Sequence, residues 1–158
     1  MRGMIVTRRA TVGDVPGMQG VRHAVWENRL VNSIISDDEV IEAIEESGRG
    51  WVAIDEHTVV GFVIAKQEDA SIWALFVDPH HEGLGIGSGL LDRAVEWLFA
   101  SGHDHITLST DPGTRAERFY RERGWRKTGA RDNGEVVLEL SRTARTNKDW
   151  TETVHDSN

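Results

Sequence analysis

The 158-residue chain contains no cysteine. Disulfides, thiolate zinc sites and a cysteine nucleophile are thereby excluded, and a reducing compartment is compatible with that lack. No apolar run approaches the roughly 20 residues that span a bilayer. The opening segment, Met1-Arg2-Gly3-Met4-Ile5-Val6-Thr7-Arg8-Arg9, lacks the apolar stretch of a signal peptide. Positive charge is short as well: 18 lysines and arginines stand against 26 aspartates and glutamates, a net charge of -8. A field of that sign repels phosphate backbones and favours a cationic substrate. A soluble, cytoplasmic protein with no nucleic-acid and no membrane partner is expected. The chain carries one tyrosine, Tyr120, and shows no internal repeat or low-complexity tract.

What is present reads as one α/β domain over 1–142. Met4 to Arg9 forms a first strand. Asp14-Val15-Pro16 predicts a helix start, with aspartate at the cap and proline in the first turn, and the helix runs through Trp26 to about Leu30. Ser36-Asp37-Asp38-Glu39 is a capping box, followed at helical spacing by Val40, Ile41 and Ile44, with Gly48 as the stop. Strands follow at Gly50 to Ile54 and at Thr58 to Lys66. A third covers Ser71 to Val77, whose apolar run predicts burial on both faces. Gly87, Leu90, Leu91, Ala94 and Leu98 trace one face of a helix that closes at Gly102. His105 to Ser109 is a strand, and Thr114-Arg115-Ala116-Glu117 opens a short helix ending at Gly124. A closing strand pair flanks Asp132-Asn133-Gly134, which contains the Asn-Gly hairpin signal. The order is βααβββαβαββ, a mixed sheet with helices on both faces. From Thr143 apolar residues thin out, and 143–158 reads as a mobile tail.

The densest chemistry lies between the third strand of that run and the next helix, where Gly83, Gly85, Gly87 and Gly89 alternate. A helix N-terminus offers backbone N–H groups and a partial positive charge to an anion, and glycines let the backbone approach it. The turn is not a P-loop, because no Gly-Lys-Ser/Thr tripeptide occurs. Nor is it a dinucleotide fingerprint: counted from Gly83 the last glycine is replaced by Ser88, and from Gly85 by Leu90.

Three segments together resemble the GNAT superfamily of N-acetyltransferases over about Ile5 to Leu140. Leu75-Phe76-Val77-Asp78-Pro79 resembles the family's fourth strand and its exit. Glu82-Gly83-Leu84-Gly85-Ile86-Gly87 resembles its pyrophosphate loop, and Ala116 to Trp125 its late helix, which ends in a tyrosine and then Gly plus an aromatic. The resemblance implies a splayed sheet holding acetyl-CoA, with the pantetheine pairing to the backbone near Phe76 and Val77. Amides of Gly83, Leu84, Gly85, Ile86, Gly87 and Ser88 would bind the pyrophosphate. It implies acetyl transfer by direct attack of a primary amine on the thioester, with Tyr120 as the acid for the departing thiolate. The acceptor would be a small-molecule amine or a peptide N-terminus, and similar proteins are often homodimers. An acyl-CoA-binding sensor without turnover is the alternative class.

Two positions depart from the family pattern. Glu82 stands where arginine or glutamine is usual, and Gly113 where many relatives carry asparagine; Thr114 and Arg115 are candidates to contact the cofactor in its place. No general base is evident: Ser71 occupies a position where some relatives place glutamate, and Glu27 and Asp69 are candidates by vicinity alone. His80-His81 and His103-Asp104-His105 match no strong zinc spacing, and no metal is expected. Trp26 to Arg29 would border the acceptor pocket in similar proteins. Trp73 reads first as a core residue and second as an aromatic wall for a cationic amine.

Overall fold

The computed structural model describes residues 4–26 and 35–143. The tail expected at 143–158 lies, but for Thr143, outside the described residues, as do Glu27 and the end of the first helix at Leu30. The chain divides into two compact units, Met1–Trp97 and Leu98–Asn158.

The first unit contains β1 (Ile5–Arg9), α1 (Val15–Trp26), α2 (Asp37–Glu45), β2 (Gly48–Asp55), β3 (Thr58–Lys66), β4 (Ser71–Val77) and most of α3 (Ile86–Ala100). Its strands run antiparallel in the order β1-β2-β3-β4. Helices α1 and α2 cover one face, where Met18, Val21, Val40, Ile44, Val52, Phe62 and Ile64 close a core. Helix α3 covers the other so tightly that a Cβ on Gly61 of β3 would stand 3.1 Å from Ile86 Cγ2 and 3.2 Å from Leu90 Cδ1. The second unit contains β5 (His105–Thr110), α4 (Arg115–Glu122), β6 (Arg126–Ala130) and β7 (Val136–Ser141), with strands antiparallel in the order β5-β7-β6. Ile106, Leu108, Trp125, Leu138 and Leu140 form its buried interior. Among the described residues, seven strands and four α-helices thus follow in the expected order.

The capping box of α2 forms in both directions: Glu39 N donates to Ser36 Oγ and Ser36 N to Glu39 Oε1, each at 3.1 Å. Three expectations need correction. Asp14 does not cap α1. A 3-10 turn at Val12–Asp14 precedes that helix, and the Asp14 carboxylate turns back to accept from Thr11 N at 2.8 Å and from both Arg8 guanidinium nitrogens at 2.8 Å. Gly48 is not a helix stop but the first residue of β2, where a Cβ would fall 1.9 Å from the Ala65 carbonyl oxygen. Close strand approach, not a left-handed cap, demands the glycine. Strand β4 is not buried on both faces: only Ile72 is buried, and the other six residues are half-buried. A bulge in the β3–β4 ladder, where Ile64 pairs with Ala74 and Ala65 with Ile72, leaves Trp73 as an extra residue. Bulges re-aim side chains, and Trp73 joins Ala74 and Phe76 against the α1–α2 core.

Two turns also differ in detail. Glu56 and His57, which link β2 and β3, have φ of 46° and 75°, the left-handed pair of a two-residue type I′ hairpin built without glycine or asparagine. Between β6 and β7 only Gly134 is left-handed (φ 94°), and Arg131 N donates to Glu135 O at 2.8 Å. The Asn-Gly signal therefore closes a three-residue loop.

Candidate functional site

The chain leaves β4 through a sequence of fixed points. Asp78 N donates to Val60 O at 2.8 Å, tying the exit to β3. The Asp78 carboxylate accepts from His80 N at 3.0 Å and caps a 3-10 turn over Pro79–His81. Gly83 and Gly85 then take φ of 81° and 79°, a conformation that costs an L-residue roughly 1–2 kcal/mol. These two reversals aim the chain into α3, whose first turn closes with Gly89 N donating to Gly85 O at 3.1 Å. The leading amides of the helix, Ile86 and Gly87 among them, have no carbonyl a turn behind them. A Cβ placed on Gly83, Gly85 or Gly89 would meet nothing within 4 Å. Backbone donors, a helix N-terminus and open space in front of them suit a diphosphate.

The residues expected here are contiguous in the first unit: Phe76 and Val77 at the end of β4, then Gly83, Leu84, Gly85, Ile86, Gly87 and Ser88. Phe76 lies edge-tilted against Phe62, centroids 5.5 Å apart, and Val77 pairs with Gly61. Leu84 is exposed at the tip of the turn. Glu82 is exposed as well.

Thr114, Arg115 and Tyr120 belong to the second unit. The Thr114 hydroxyl accepts from Glu117 N at 3.2 Å and donates to Asp111 O at 2.7 Å, so its side chain caps α4. The return half of that capping box lands one residue early, with the Glu117 carboxylate accepting from Gly113 N at 2.7 Å. That bond and its contact with Arg121 hold the Glu117 carboxyl below its ordinary range. Arg115 is exposed at the start of α4. Tyr120 is buried, edge-on between Phe119 and Trp125 with centroids at 5.2 and 5.8 Å. Burial pushes its phenol well above the usual tyrosine range, so the hydroxyl stays protonated at neutral pH and is a weaker acid than a free tyrosine.

The remaining candidates separate cleanly. Ser71 Oγ donates to Asp69 Oδ1 at 2.6 Å, a local turn contact. Trp73 lies under Lys66 Nζ, 4.2 Å from the ring centroid. With Asp38, Glu39 and Glu42 of α2 these two residues line a hollow of about 320 Å³, so Trp73 is both a core neighbour and a wall. The Trp26 to Arg29 segment continues into 27–34, outside the described residues. In the His103-Asp104-His105 run, Arg142 collects the carbonyls of His103 and Phe99 and the Asp104 carboxylate, while His105 faces Glu139 at 3.3 Å. That arrangement is structural. His81 is different: its Nε2 lies 3.2 Å from Asp55 Oδ2 and its Nδ1 3.7 Å from Asp78 Oδ2. The histidine pair was visible in the sequence, but its carboxylate partner at the end of β2 was not. Among the described residues no group of three or more His, Asp or Glu is placed to hold a metal ion.

Comparison with known proteins adds a frame to this geometry. The model of the acetyltransferase (GNAT) family matches residues 18–125. Serotonin N-acetyltransferase 2, chloroplastic, of Oryza sativa subsp. japonica is 28% identical over 131 residues, covering 78% of this chain and 62% of that protein. Peptidyl-lysine N-acetyltransferase YjaB of Salmonella typhimurium is 36% identical over 80 residues, covering 50% of this chain and 51% of the relative. The chain spans between 11% and 62% of the length of the first curated relatives it matches. Among solved structures, the PaiA N-acetyltransferase of Thermoplasma acidophilum, in complex with coenzyme A, superposes with a TM-score of 0.77 at 18% identity over 87% of this chain and 99% of that one.

Proposed function

The chain belongs to the GNAT acetyltransferase family, and from that membership we propose that it moves an acetyl group from acetyl-CoA to a primary amine by direct attack. The observation that carries the proposal is the turn from Gly83 to Ser88. Gly83 and Gly85 hold left-handed φ values with open space beyond them, as suits a backbone cradle for a pyrophosphate. In this reading the amides of Gly83, Leu84, Gly85, Ile86, Gly87 and Ser88 bind the pyrophosphate and the Phe76 and Val77 backbone binds the pantetheine arm, with Thr114 and Arg115 as candidates for the rest of the CoA. The bound cosubstrate supplies the activated acetyl group.

In the proposed reaction a neutral amine forms the new C–N bond at the thioester carbonyl carbon, and the C–S bond breaks. A strand N–H near Val77 stabilises the charge that builds on the carbonyl oxygen. The Tyr120 phenol, held protonated by burial, gives its proton to the thiolate. The proton lost by the amine passes through water and restores the Tyr120 phenol, so the net products are an amide and CoA thiol. We assign as acceptor a small-molecule amine or a peptide N-terminus, in a cytoplasmic homodimer.

The test is thiol release from acetyl-CoA across a panel of small amines and peptide N-termini, beside thermal shifts with CoA. Turnover with at least one amine, together with a raised melting temperature, is expected. Tight CoA binding with no thiol release on any amine would replace the enzyme with an acyl-CoA sensor. No thermal shift at CoA far above a micromolar Kd would end both readings.

A further inference from the structure

We propose that His81 is a positioning residue that fixes the pyrophosphate turn by clamping its entry to the end of β2 through Asp55; the proposal rests on the cofactor reading of that turn.

The segment from Glu82 to Gly85 is exposed along its whole length, with two glycines whose Cβ directions are empty. Gly83 and Gly85 contribute no side-chain packing, so the geometry of the amides there depends on how the two ends are fixed. Helix α3 fixes the far end, through Gly89 N to Gly85 O and the seating of Ile86 and Leu90 on Gly61. The near end is fixed by the 3-10 turn, in which His81 N donates to Asp78 O at 2.8 Å, and by the His81 side chain, the last one before the turn. Its ring is about three-quarters buried, with Nε2 at 3.2 Å from Asp55 Oδ2. Nδ1 is buried without a hydrogen bond among the described residues, 3.7 Å from Asp78 Oδ2. The clamp is thus a single hydrogen bond to a carboxylate that ends β2, directly before the tight Glu56-His57 hairpin. The end of a two-residue hairpin is the anchor, and a carboxylate acceptor makes the bond to it charge-assisted. Free of the clamp, the turn samples other conformations, and CoA has to order it on binding.

The role predicts a specific kinetic split. His81→Ala is expected to raise the Kd for CoA and the KM for acetyl-CoA about tenfold, while kcat and the KM for the amine stay within about twofold, because neither His81 nor Asp55 touches the reacting atoms. Asp55→Ala should give the same shift. The double variant should be no worse than the worse single one, since both remove one contact. His81→Gln, which keeps a donor of similar reach, should recover part of the affinity. Hydrogen exchange of ligand-free protein should be faster over 82–88 in His81→Ala and unchanged in the later turns of α3. An unchanged Kd in a folded variant, additive losses in the double variant, a fall in kcat at constant Kd, or unaltered exchange over 82–88 would each overturn the clamp. Should His81→Ala not fold, His81→Gln carries the same comparison: full retention of wild-type affinity and exchange, together with no loss in Asp55→Ala, refutes it. If the wild-type protein itself fails to bind CoA, the cofactor reading falls instead, so the two failures are distinguishable.

Discussion

Replacing Gly85 by alanine separates what the pyrophosphate turn does for the fold from what it does for a ligand. At φ 79° the new Cβ meets no protein atom within 4 Å, so the folded state loses only the left-handed penalty, about 1–2 kcal/mol. For a chain of this length that corresponds to a fall in Tm of roughly 2–8 °C. Gly102, after α3, is a matched control: its φ is 104° and its Cβ would likewise meet nothing within 4 Å. Gly102→Ala should lower Tm by a similar amount. The two variants should part company in calorimetric titration with CoA. In Gly85→Ala the methyl group occupies space in front of the amides, and losing one charge-assisted amide–phosphate bond costs about 1.5–3 kcal/mol. The expected rise in Kd is therefore roughly tenfold to a hundredfold, against none in Gly102→Ala. Equal affinity in both variants, with matched Tm losses, would show that the open space at Gly85 is ordinary solvent and that the pyrophosphate does not sit there.

Tyr120→Phe should lower kcat about tenfold or more with little change in the Kd for CoA. Because burial raises the phenol above its usual range, the wild-type pH–kcat profile should show no tyrosine ionisation up to about pH 10; an alkaline limb lost in the phenylalanine variant would contradict this. Asp14→Ala should destabilise the protein by about 1–2 kcal/mol at pH 7, a charge-assisted contact discounted for the half-exposed Arg8. The Arg8 guanidinium depresses the Asp14 carboxyl below its ordinary value, so this stability is present above about pH 4 and is lost as pH falls through the folded-state value; the difference between the two proteins in urea melts should be smaller at pH 3 than at pH 7. Glu82→Gln should tighten CoA binding, because it removes like-charge repulsion between a carboxylate and a doubly charged diphosphate. Titrations should show that difference shrinking towards nothing in 1 M salt, and a salt-independent effect would place Glu82 in direct contact instead.

How far the sequence carried the fold depends on whether a feature is local. The capping box at Ser36 and Glu39, the stop at Gly124 and the amphipathic face of α3 are written in residues a few positions apart, and all appear in the structure. Gly48 was misread because its reason lies 17 positions away, in the carbonyl of Ala65. Asp14 was misread because Arg8, across the β1–α1 corner, competes for its carboxylate with a guanidinium that outbids a helix amide. The sequence reads Asp55-Glu56-His57 as a turn, but with no glycine or asparagine in it the left-handed pair is imposed by the register of β2 on β3.

The same distinction governs the candidate site. The Gly83–Ser88 turn is legible as a glycine-rich turn before a helix, because alternating glycines are a sequence property. The side chains that tune the site are legible only through their partners. Strand β4 looked like a buried central strand because its run of Ile72, Trp73, Ala74, Leu75, Phe76 and Val77 is apolar throughout. Alternation would have put Trp73 on the α3 side, with Leu75 and Val77. The bulge opposite Ile64 and Ala65 breaks that alternation at one residue and brings Trp73 round to Lys66 and the acidic face of α2. A bulge is a mismatch between two strands, and no single strand encodes it. His81 follows the same logic: beside His80 it matched no strong zinc spacing, and it became a clamp only when the fold brought Asp55 to within 3.2 Å. Residues that contact a ligand through the backbone can therefore be found by reading along the chain, whereas residues that hold those backbones in place have to be found by looking across it.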